Sequence, residues 1–307
     1  MFLKRKKFDK DLNALNKKMS LLEIANTSQQ FLAANILSRM NKLNAAEILQ
    51  DIKLAEFKVF SQWGDDGIID FLVDYLHIKS KTFIEFGVQD YTESNTRFLL
   101  MNKNWTGLIM DGSEENINYV KQDEIYWKYQ LKAVNAFITS ENINQLITGN
   151  GFAGEIGLLH IDIDGNDYWV WKAITCINPV IVIVEYNSVF GKNKPWTVPY
   201  KADFYRTSAH HSNLYFGSSL LSLVDFAEQK GYEFIGCTSS GNNAYFIRKD
   251  QINGIKPVTI DEGYVLSKFR ESRDEAGKLT YLDGDMRLKE LAGNPVYNTR
   301  TNAAELI

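Results

Sequence analysis

Hydrophobic and polar residues form two repeating patterns between residues 82 and 248. Short apolar runs suited to buried strands lie at 82–87, 107–111, 130–134, 157–162, 180–186, 232–237 and 243–248. Helical patterns lie between them at 94–102, 114–121, 140–147, 167–174 and 217–230. This alternation predicts an α/β fold with a mainly parallel sheet covered on both faces. The last two runs flank Thr-Ser-Ser-Gly-Asn-Asn, which predicts an antiparallel hairpin at the end of the sheet.

The first 57 residues have a helical pattern of their own. Phe8, Leu12, Leu15, Met19 and Leu22 are spaced alternately by four and three, as in a coiled coil. A second helix is predicted after the polar Asn-Thr-Ser at 26–28. Packing of these helices on the main domain and dimerisation through them both remain open.

Three segments are therefore predicted. Residues 1–57 form a helical N-terminal extension that could mediate oligomerisation, and residues 58–250 form the main α/β domain. Residues 251–307 mix charged residues, glycine and asparagine with few apolar residues. This composition predicts a peripheral C-terminal extension, partly disordered.

Composition excludes several classes of protein. The chain has 307 residues, 45% of them hydrophobic and 23% charged, which is ordinary for a globular protein. A net charge of −4 gives no electrostatic footprint for nucleic acid. Cys176 and Cys237 fit neither a disulfide framework nor a zinc site. The basic start MFLKRKKF runs into polar residues, unlike a secretory signal, and no stretch has the length of a membrane span. We expect a cytoplasmic protein.

The segment Thr82–Gly112 contains the most informative motif. Its first strand carries Glu85 and ends at Gly87, and its second strand ends at Asp111, 24 positions after Gly87. A glycine turn followed by an acid about 20 residues later is how doubly wound sheets hold a ribose. The residues after Gly87 are Val-Gln-Asp-Tyr, so the further glycines that admit a pyrophosphate are absent. A nucleoside without a diphosphate, such as S-adenosylmethionine, therefore fits better than NAD.

Ligands of open α/β sheets bind outside the carboxyl ends of the strands, so the residues there are candidates for the site. The cofactor-binding candidates are Glu85, Gly87, Gln89, Thr92, Asn95, Asp111, Gly112, Ser113, Asn135, Ala136 and Asp162. Asp111 is expected to accept both ribose hydroxyls, although it could instead cap the helix at 114–121. Glu85 could orient the glycine turn, contact the methionine amino group or form a salt bridge under the loop. Asn135 could contact the adenine edge or only stabilise a turn.

A second group of candidates surrounds the fourth and fifth strands of the sheet. Asp162, Asp164 and Glu185 offer oxygen ligands suited to Mg²⁺ or Ca²⁺. Alternatively, Asp164 acts as a general base or caps the following helix. His210 and His211 follow in a polar loop, where either could deprotonate a hydroxyl or simply be solvated.

Several motifs resemble the FkbM-type branch of S-adenosylmethionine-dependent methyltransferases. They are Phe83-Ile-Glu-Phe-Gly, Leu159-His-Ile-Asp-Ile-Asp-Gly-Asn-Asp-Tyr and Val182-Ile-Val-Glu-Tyr-Asn. The block Phe60-Ser-Gln-Trp-Gly-Asp-Asp-Gly-Ile is similar to one that precedes the Rossmann-like unit of that family. Tyr215-Phe-Gly-Ser-Ser-Leu and Ser240-Gly-Asn-Asn-Ala-Tyr-Phe fit bacterial members found with surface-polysaccharide genes. The resemblance covers residues 57–250, and the turn after Gly87 is poorer in glycine than is common in the family.

The resemblance implies a Rossmann-like methyltransferase sheet and transfer of a methyl group to a hydroxyl of a sugar, nucleotide-sugar or surface glycan. It also implies that the loop after the first strand and Asp111 bind S-adenosylmethionine. Two alternatives remain open. One is a methyltransferase-like protein without catalysis that binds partners through its N-terminal helices, and the other is a dinucleotide-dependent enzyme that modifies nucleotide-sugars.

Overall fold

A computed structural model describes the backbone of Phe2–Ile307 and the side chains of residues 10–22 and 24–307. Its centre is a seven-stranded sheet of β1–β5, β7 and β8, in the order β3-β2-β1-β4-β5-β8-β7. The bounds are β1 Thr82–Phe86, β2 Thr106–Asp111, β3 Leu131–Asn135, β4 Gly154–Ile161, β5 Ile177–Glu185, β7 Tyr232–Cys237 and β8 Asn243–Arg248. The first five strands are parallel, and β8 runs antiparallel to both β5 and β7. The predicted sheet with its terminal hairpin is confirmed.

Helices join the strands and cover the sheet. They are α1 Phe2–Leu43, α2 Ala45–Ile48, α3 Asp65–Tyr75, α4 Arg97–Lys103, α5 Glu114–Gln122, α6 Glu124–Lys128, α7 Ile143–Gly149, α8 Asp167–Ala173, α9 Arg206–Ala209, α10 Leu220–Gln229, α11 Ile260–Gly263 and α12 Asp285–Glu290. Three single 3₁₀ turns lie at Ile52–Ala55, Ser188–Phe190 and Lys249–Gln251. The described part of the chain contains no helix that is both long and apolar enough to cross a membrane.

The strands are apolar on both sides, as expected for a parallel sheet covered by helices. Val180, Ile181 and Ile183 of β5 face one core cluster, and Val182 and Val184 face the other. Burial of both faces explains why the strands appear in the sequence as continuous apolar runs rather than as an alternating pattern.

The order of the strands reverses between β1 and β4. From β1 the chain moves outward through β2 to β3 and then returns to β4 on the other side of β1. At such a reversal the loops that leave the two neighbouring strands diverge and open a crevice at their carboxyl ends. The crevice therefore lies beside the residues that follow Phe86 and Ile161.

The N-terminal extension begins with one continuous helix of 42 residues, so the predicted break at 26–28 is wrong. This segment contains neither glycine nor proline, and Ser28 Oγ donates to Ile24 O at 2.8 Å within the helix. Polar side chains that bond to their own helix in this way do not interrupt it. Among the described side chains of α1, those that pack on the domain lie in its C-terminal half, where Ser38 Oγ donates to buried Asp70 at 2.5 Å and Asn41 Nδ2 donates to Ala55 O at 2.9 Å.

The C-terminal extension contributes more to the structure than its composition predicted. Its strands β9 Pro295–Asn298 and β10 Ala303–Leu306 form a second, antiparallel sheet with β6 Trp196–Thr197 of the main domain. Leu291 and Val296 are fully buried in a cluster with Phe190, Trp196 and other residues of the main domain. A few apolar residues are enough to hold this segment in place, because each one packs against apolar side chains of the main domain.

Candidate functional site

Two adjoining clefts lie at the carboxyl ends of the central strands. The first has a volume of about 490 Å³ and opens between the ends of β1, β2 and β4. The second has about 240 Å³ and extends from the ends of β4 and β5 toward the C-terminal extension. Both are lined by Gly87, Gln89, Asp162, Asp164 and Arg206, so the two clefts meet at these residues.

Gly87 allows β1 and β4 to approach each other at the rim of the first cleft. Its φ angle is +71°, and a Cβ at this position would collide with the backbone carbonyl oxygen of Asp162. Its amide donates to Met110 O at 2.9 Å. A glycine is required here for both reasons, left-handed backbone and close backbone contact.

Asp111 lies at the end of β2 and lines the first cleft. Its Oδ2 accepts the amide of Gln89 at 2.8 Å, and its Oδ1 accepts the amide of Ser113 at 2.8 Å. Ser113 is the N-cap of α5, because its Oγ accepts the amide of Asn116 at 3.2 Å. Asp111 therefore does not cap the helix. Asn116 Nδ2 also donates to Oδ1, at 3.3 Å. Oδ2 accepts a single hydrogen bond from the described residues, so it can accept a further one from a ligand.

Glu85 is buried beneath the loop that follows β1. Its two oxygens accept the amide of Asn95 at 3.0 Å, Ser94 Oγ at 2.6 Å and both the amide and the hydroxyl of Thr96. His160 Nδ1 of β4 lies 2.9 Å from Glu85 Oε1. Burial alone would raise the pKa of Glu85, but the hydrogen bond and charge of His160 together with the hydroxyl donors lower it on balance. The Glu85 carboxylate thus clamps the loop to the sheet.

Asp162, Asp164 and Glu185 form a carboxylate cluster where the two clefts meet. One oxygen of each lies within 4.8 Å of the others. Burial, reinforced by the charge of Asp164, raises the pKa of Asp162 to about 7. Burial and the charge of Asp162 raise the pKa of Glu185 well above its usual range. Three carboxylates this close cannot all be ionised unless a cation compensates them.

The loop after β4 holds this cluster in place. Buried Asp167 accepts the amide of Ile163 at 2.8 Å and the amide of Gly165 at 2.9 Å. The turn places Asp164 at a φ of +56° with its side chain half exposed. Arg206 Nη1 donates to Asp164 at 2.5 Å, and the Arg206 guanidinium lies 3.7 Å from the centre of the Phe216 ring. The sequence motif Asp-Ile-Asp-Gly-Asn-Asp is therefore a tight turn that projects two of its acids toward the clefts.

The remaining candidates divide into three groups. Gln89, Gly112, Ser113 and Ala136 line the first cleft with Gly87, Asp111 and Asp162. Asn135 does not line it, because its amide Nδ2 donates to Asp111 O at 3.1 Å. Thr92 and Asn95 line an adjoining recess of about 210 Å³ under the loop after β1, together with Glu85. This recess shares Gly87, Gln89 and Asp162 with both clefts.

The described residues that line the two clefts do not include His210 or His211. His210 Nδ1 is 2.8 Å from Ser212 Oγ, and His211 Nε2 is 2.9 Å from Glu290 Oε1. The two rings pack on each other with centres 4.2 Å apart. Neither imidazole is among the residues that line the meeting point of the clefts.

Gln62, Phe137, Arg206 and Arg287 are among the cleft-lining residues that the sequence pattern did not predict. Gln62 could have been found from its motif, which also contains Asp66. Buried Asp66 fixes the loop that carries Gln62 by accepting three backbone amides at 2.7–2.8 Å, those of Val59, Phe60 and Ser61. Phe137 lies two residues after the end of β3, directly after Ala136, and could have been found from that position. Arg206 and Arg287 follow no strand of the sheet at a recognisable spacing. Only the folded chain brings them to the clefts.

Models of protein families and curated proteins were both searched with this sequence, and neither search found a match. Solved structures with a similar fold include an S-adenosylmethionine-dependent methyltransferase from Clostridium acetobutylicum, at 11% identity over 68% of this chain and 98% of that one, with a TM-score of 0.40. An O-methyltransferase from Bacillus cereus in complex with SAH is 12% identical over 69% and 88%, with a TM-score of 0.38.

A putative caffeoyl-CoA O-methyltransferase from Staphylococcus aureus is similar at 15% identity over 71% of this chain and 99% of that one, with a TM-score of 0.38. Similarities of this size carry no argument about the site. The strand order and the cleft residues of this chain indicate its function instead.

Proposed function

We propose that this protein is an S-adenosylmethionine-dependent O-methyltransferase that acts on a hydroxyl of a sugar, nucleotide-sugar or surface glycan. The observation that carries the proposal is Asp111 at the end of β2, in a cleft at the reversal of strand order, with its oxygens oriented by two backbone amides. A carboxylate in this position suits the paired hydroxyls of a ribose. The resemblance of the sequence motifs to FkbM-type methyltransferases supports the sugar-type acceptor.

In the proposed reaction the first cleft binds the methyl donor. Asp111 would accept the ribose hydroxyls, and the glycine turn at Gly87 would let the donor lie against the backbone of β1. Phe137, about half exposed at the cleft wall, offers an aromatic face to the adenine ring. S-adenosylmethionine supplies a methyl group made electrophilic by its sulfonium, so the protein has mainly to position the donor and the acceptor.

The acceptor would bind in the second cleft with its hydroxyl directed to the carboxylate cluster. Asp164 is the candidate to accept the hydroxyl proton, and Asp162 lies beside it at the junction of the clefts. Arg206 restrains Asp164 through its hydrogen bond and lines both clefts. A base oriented in this way raises the nucleophilicity of an alcohol as its proton departs.

The same cluster fits a divalent cation such as Mg²⁺. Glu185 Oε2 is buried and has no hydrogen-bond partner among the described residues, which is costly for a carboxylate unless a cation binds there. Asp162, Asp164 and Glu185 would be its protein ligands. A bound cation would orient the acceptor oxygen and lower the pKa of its hydroxyl.

Calorimetric titration with S-adenosylhomocysteine tests the donor site. We expect Asp111→Ala to weaken binding at least tenfold. The variant loses the hydrogen bonds from the ribose hydroxyls to a charged carboxylate, which contribute about 1.4 kcal/mol or more to the binding free energy. Glu115→Ala, at an exposed position of the neighbouring helix, is the matched control and should bind as the wild type does. Unchanged affinity in a folded Asp111→Ala protein would refute the assignment. Absence of binding to the wild type would favour a non-catalytic binding protein.

Titration with Mn²⁺, followed by its electron paramagnetic resonance signal, tests the cation site without depending on activity. We expect saturable binding to the wild type and at least a tenfold weaker affinity in Glu185→Gln, since one of three charged ligands is lost. Glu228→Gln, on the exposed side of α10, should leave the affinity unchanged. Equal Mn²⁺ binding by the two variants would exclude Glu185 as a ligand.

We also propose that α1 pairs with α1 of a second copy of this chain in the cytoplasm. Leu12, Leu15, Met19 and Leu22 are all at least 43% exposed, and the same spacing of four and three continues through Ile36, Met40 and Leu43. This stripe lies opposite the face that packs on the domain and extends over more than four heptads. Asn26 lies within the stripe, where a polar residue specifies the register of a dimer.

A further inference from the structure

Arg287 is a buried cation that has no counter-ion among the described residues. It lies on α12, is only 6% exposed and lines the second cleft. Its Nε is buried without a hydrogen-bond partner, and the guanidinium makes no ion pair with any residue that the structure describes. Burying an unpaired charge costs several kcal/mol, so native proteins rarely keep one unless a ligand uses it.

The other charged groups at the wall of the second cleft are already satisfied or belong to the acidic cluster. Arg206 is bonded to Asp164, and Glu271 is bonded to Arg273 at 2.8–2.9 Å. Asp162 and Glu185 lie at the junction with the first cleft. The second cleft therefore contains acids where it meets the first cleft, and Arg287 adds a positive charge that no side chain of the wall neutralises.

The surroundings of Arg287 also disfavour its charge. Burial lowers the pKa of the Arg287 guanidinium, and the positive charges of Arg206 and Arg270 add to this effect, while Asp283 and Tyr264 oppose it. An arginine nevertheless remains protonated in proteins, so the cost appears as lost stability rather than as a lost proton. An anion bound beside it would recover this cost.

We propose that the acceptor carries an anionic group, a carboxylate or a phosphate, which binds to Arg287 in the second cleft while its reactive hydroxyl lies at Asp162 and Asp164. This inference deepens the proposed methyl transfer and depends on it. A guanidinium binds carboxylate and phosphate oxygens through two parallel hydrogen bonds, which fixes orientation as well as position. The acceptor would thus be an acidic or phosphorylated sugar rather than a neutral one.

The test measures binding of three probes to the protein saturated with S-adenosylhomocysteine: glucuronate, glucose 1-phosphate and glucose. We expect at least one of the two anions to bind saturably and at least tenfold more tightly than glucose. Comparison of glucuronate with glucose 1-phosphate distinguishes a carboxylate from a phosphate ligand. Arg287→Gln should abolish this preference for the anion, and Arg287→Lys should retain part of it.

Arg270→Gln is the matched control, since Arg270 belongs to the same C-terminal extension but is half exposed and already bonded to Tyr281 O at 2.8 Å. It should bind the anion as the wild type does. All variants should keep their affinity for S-adenosylhomocysteine within about twofold, because the donor cleft does not include these residues.

Thermal unfolding without ligand separates a binding role from a structural one. If Arg287 serves a ligand, Arg287→Met should raise the unfolding midpoint, because it removes an unpaired buried charge. A lower midpoint, with anion binding as tight in Arg287→Lys and Arg287→Gln as in the wild type, would show that Arg287 is structural and overturn the proposal.

Equal binding of glucose and both anions to the wild type would also overturn the proposal. If S-adenosylhomocysteine itself does not bind, the proposed methyl transfer fails instead. The two failures are therefore distinguishable.

Discussion

At the scale of single residues, Gly87 is where the backbone of this protein is most constrained. We expect Gly87→Ala to lower the free energy of unfolding by at least about 3 kcal/mol, because it adds backbone strain and a collision with the carbonyl of Asp162. Denaturant unfolding measures the change. The same variant should also lose S-adenosylhomocysteine binding. The alanine side chain fits only if β1 and β4 move apart, and this movement would distort the first cleft.

Gly154→Ala is the control for strain alone. Gly154 has a φ of +68°, and a Cβ there would meet no described atom within 4 Å. It should cost only about 1–2 kcal/mol and leave ligand affinity unchanged. Equal losses of stability in Gly87→Ala and Gly154→Ala would mean that the collision with Asp162 adds nothing to the cost of the Gly87 substitution.

At the scale of elements, α1 has one face that packs on the domain and an opposite face that is exposed. Phe31, Ala34, Ser38 and Asn41 face the domain, and Phe31 packs on Phe60 and Phe98 with ring centres 5.9 and 5.4 Å apart. The opposite face carries the exposed stripe of leucine, isoleucine and methionine. The helix spans about 63 Å, so its N-terminal half extends well beyond the part that packs on the domain.

Light scattering after gel filtration tests the proposed pairing of α1. We expect the wild type to be a dimer, and Leu15→Glu combined with Leu22→Glu to be a monomer, because each copy would place two charges in the core of the coiled coil. Lys10→Glu combined with Lys17→Glu, at exposed polar positions, is the control and should remain dimeric. A monomeric wild type would contradict the pairing.

At the scale of the whole molecule, the C-terminal extension completes the second cleft. Tyr186 OH donates to Val265 O at 2.5 Å, Tyr264 OH donates to Ser188 O at 2.8 Å, and the extension supplies Phe269 and Arg287 to the cleft wall. The first cleft is built without any of its residues. The extension is therefore expected to determine which acceptor binds.

Leu291→Ala tests this division. Leu291 is fully buried one turn after Arg287, and its truncation should cost about 2–5 kcal/mol of stability. At temperatures below the unfolding midpoint, the affinity for S-adenosylhomocysteine should change less than twofold. The affinity of the second cleft for glucuronate or glucose 1-phosphate should fall by more than twofold. Leu306→Ala, at a position that is 69% exposed, is the control and should be nearly neutral. Equal weakening of both ligands would show that the two clefts are not independent.

Much of the fold could be predicted because the signals are local. A strand buried on both faces appears as an apolar run, so β7 and β8 match their predicted bounds residue for residue. The glycine turn and acid of the first βαβ unit also have a characteristic spacing. The continuous course of α1 was missed because Asn-Thr-Ser often starts a helix but can also lie within one when its side chains bond to the helix.

The sequence by itself determined the alternation of strands and helices, the positions of Gly87 and Asp111 and the carboxylates that end β4 and β5, since each of these depends on neighbours along the chain. Only the tertiary structure decided which of these residues share a cleft. It placed His210 and His211 outside the two clefts and brought Arg206 and Arg287 into their walls. The physical reason is that a cleft is built from segments distant in sequence, so the burial and pairing of its charges exist only after the chain has folded.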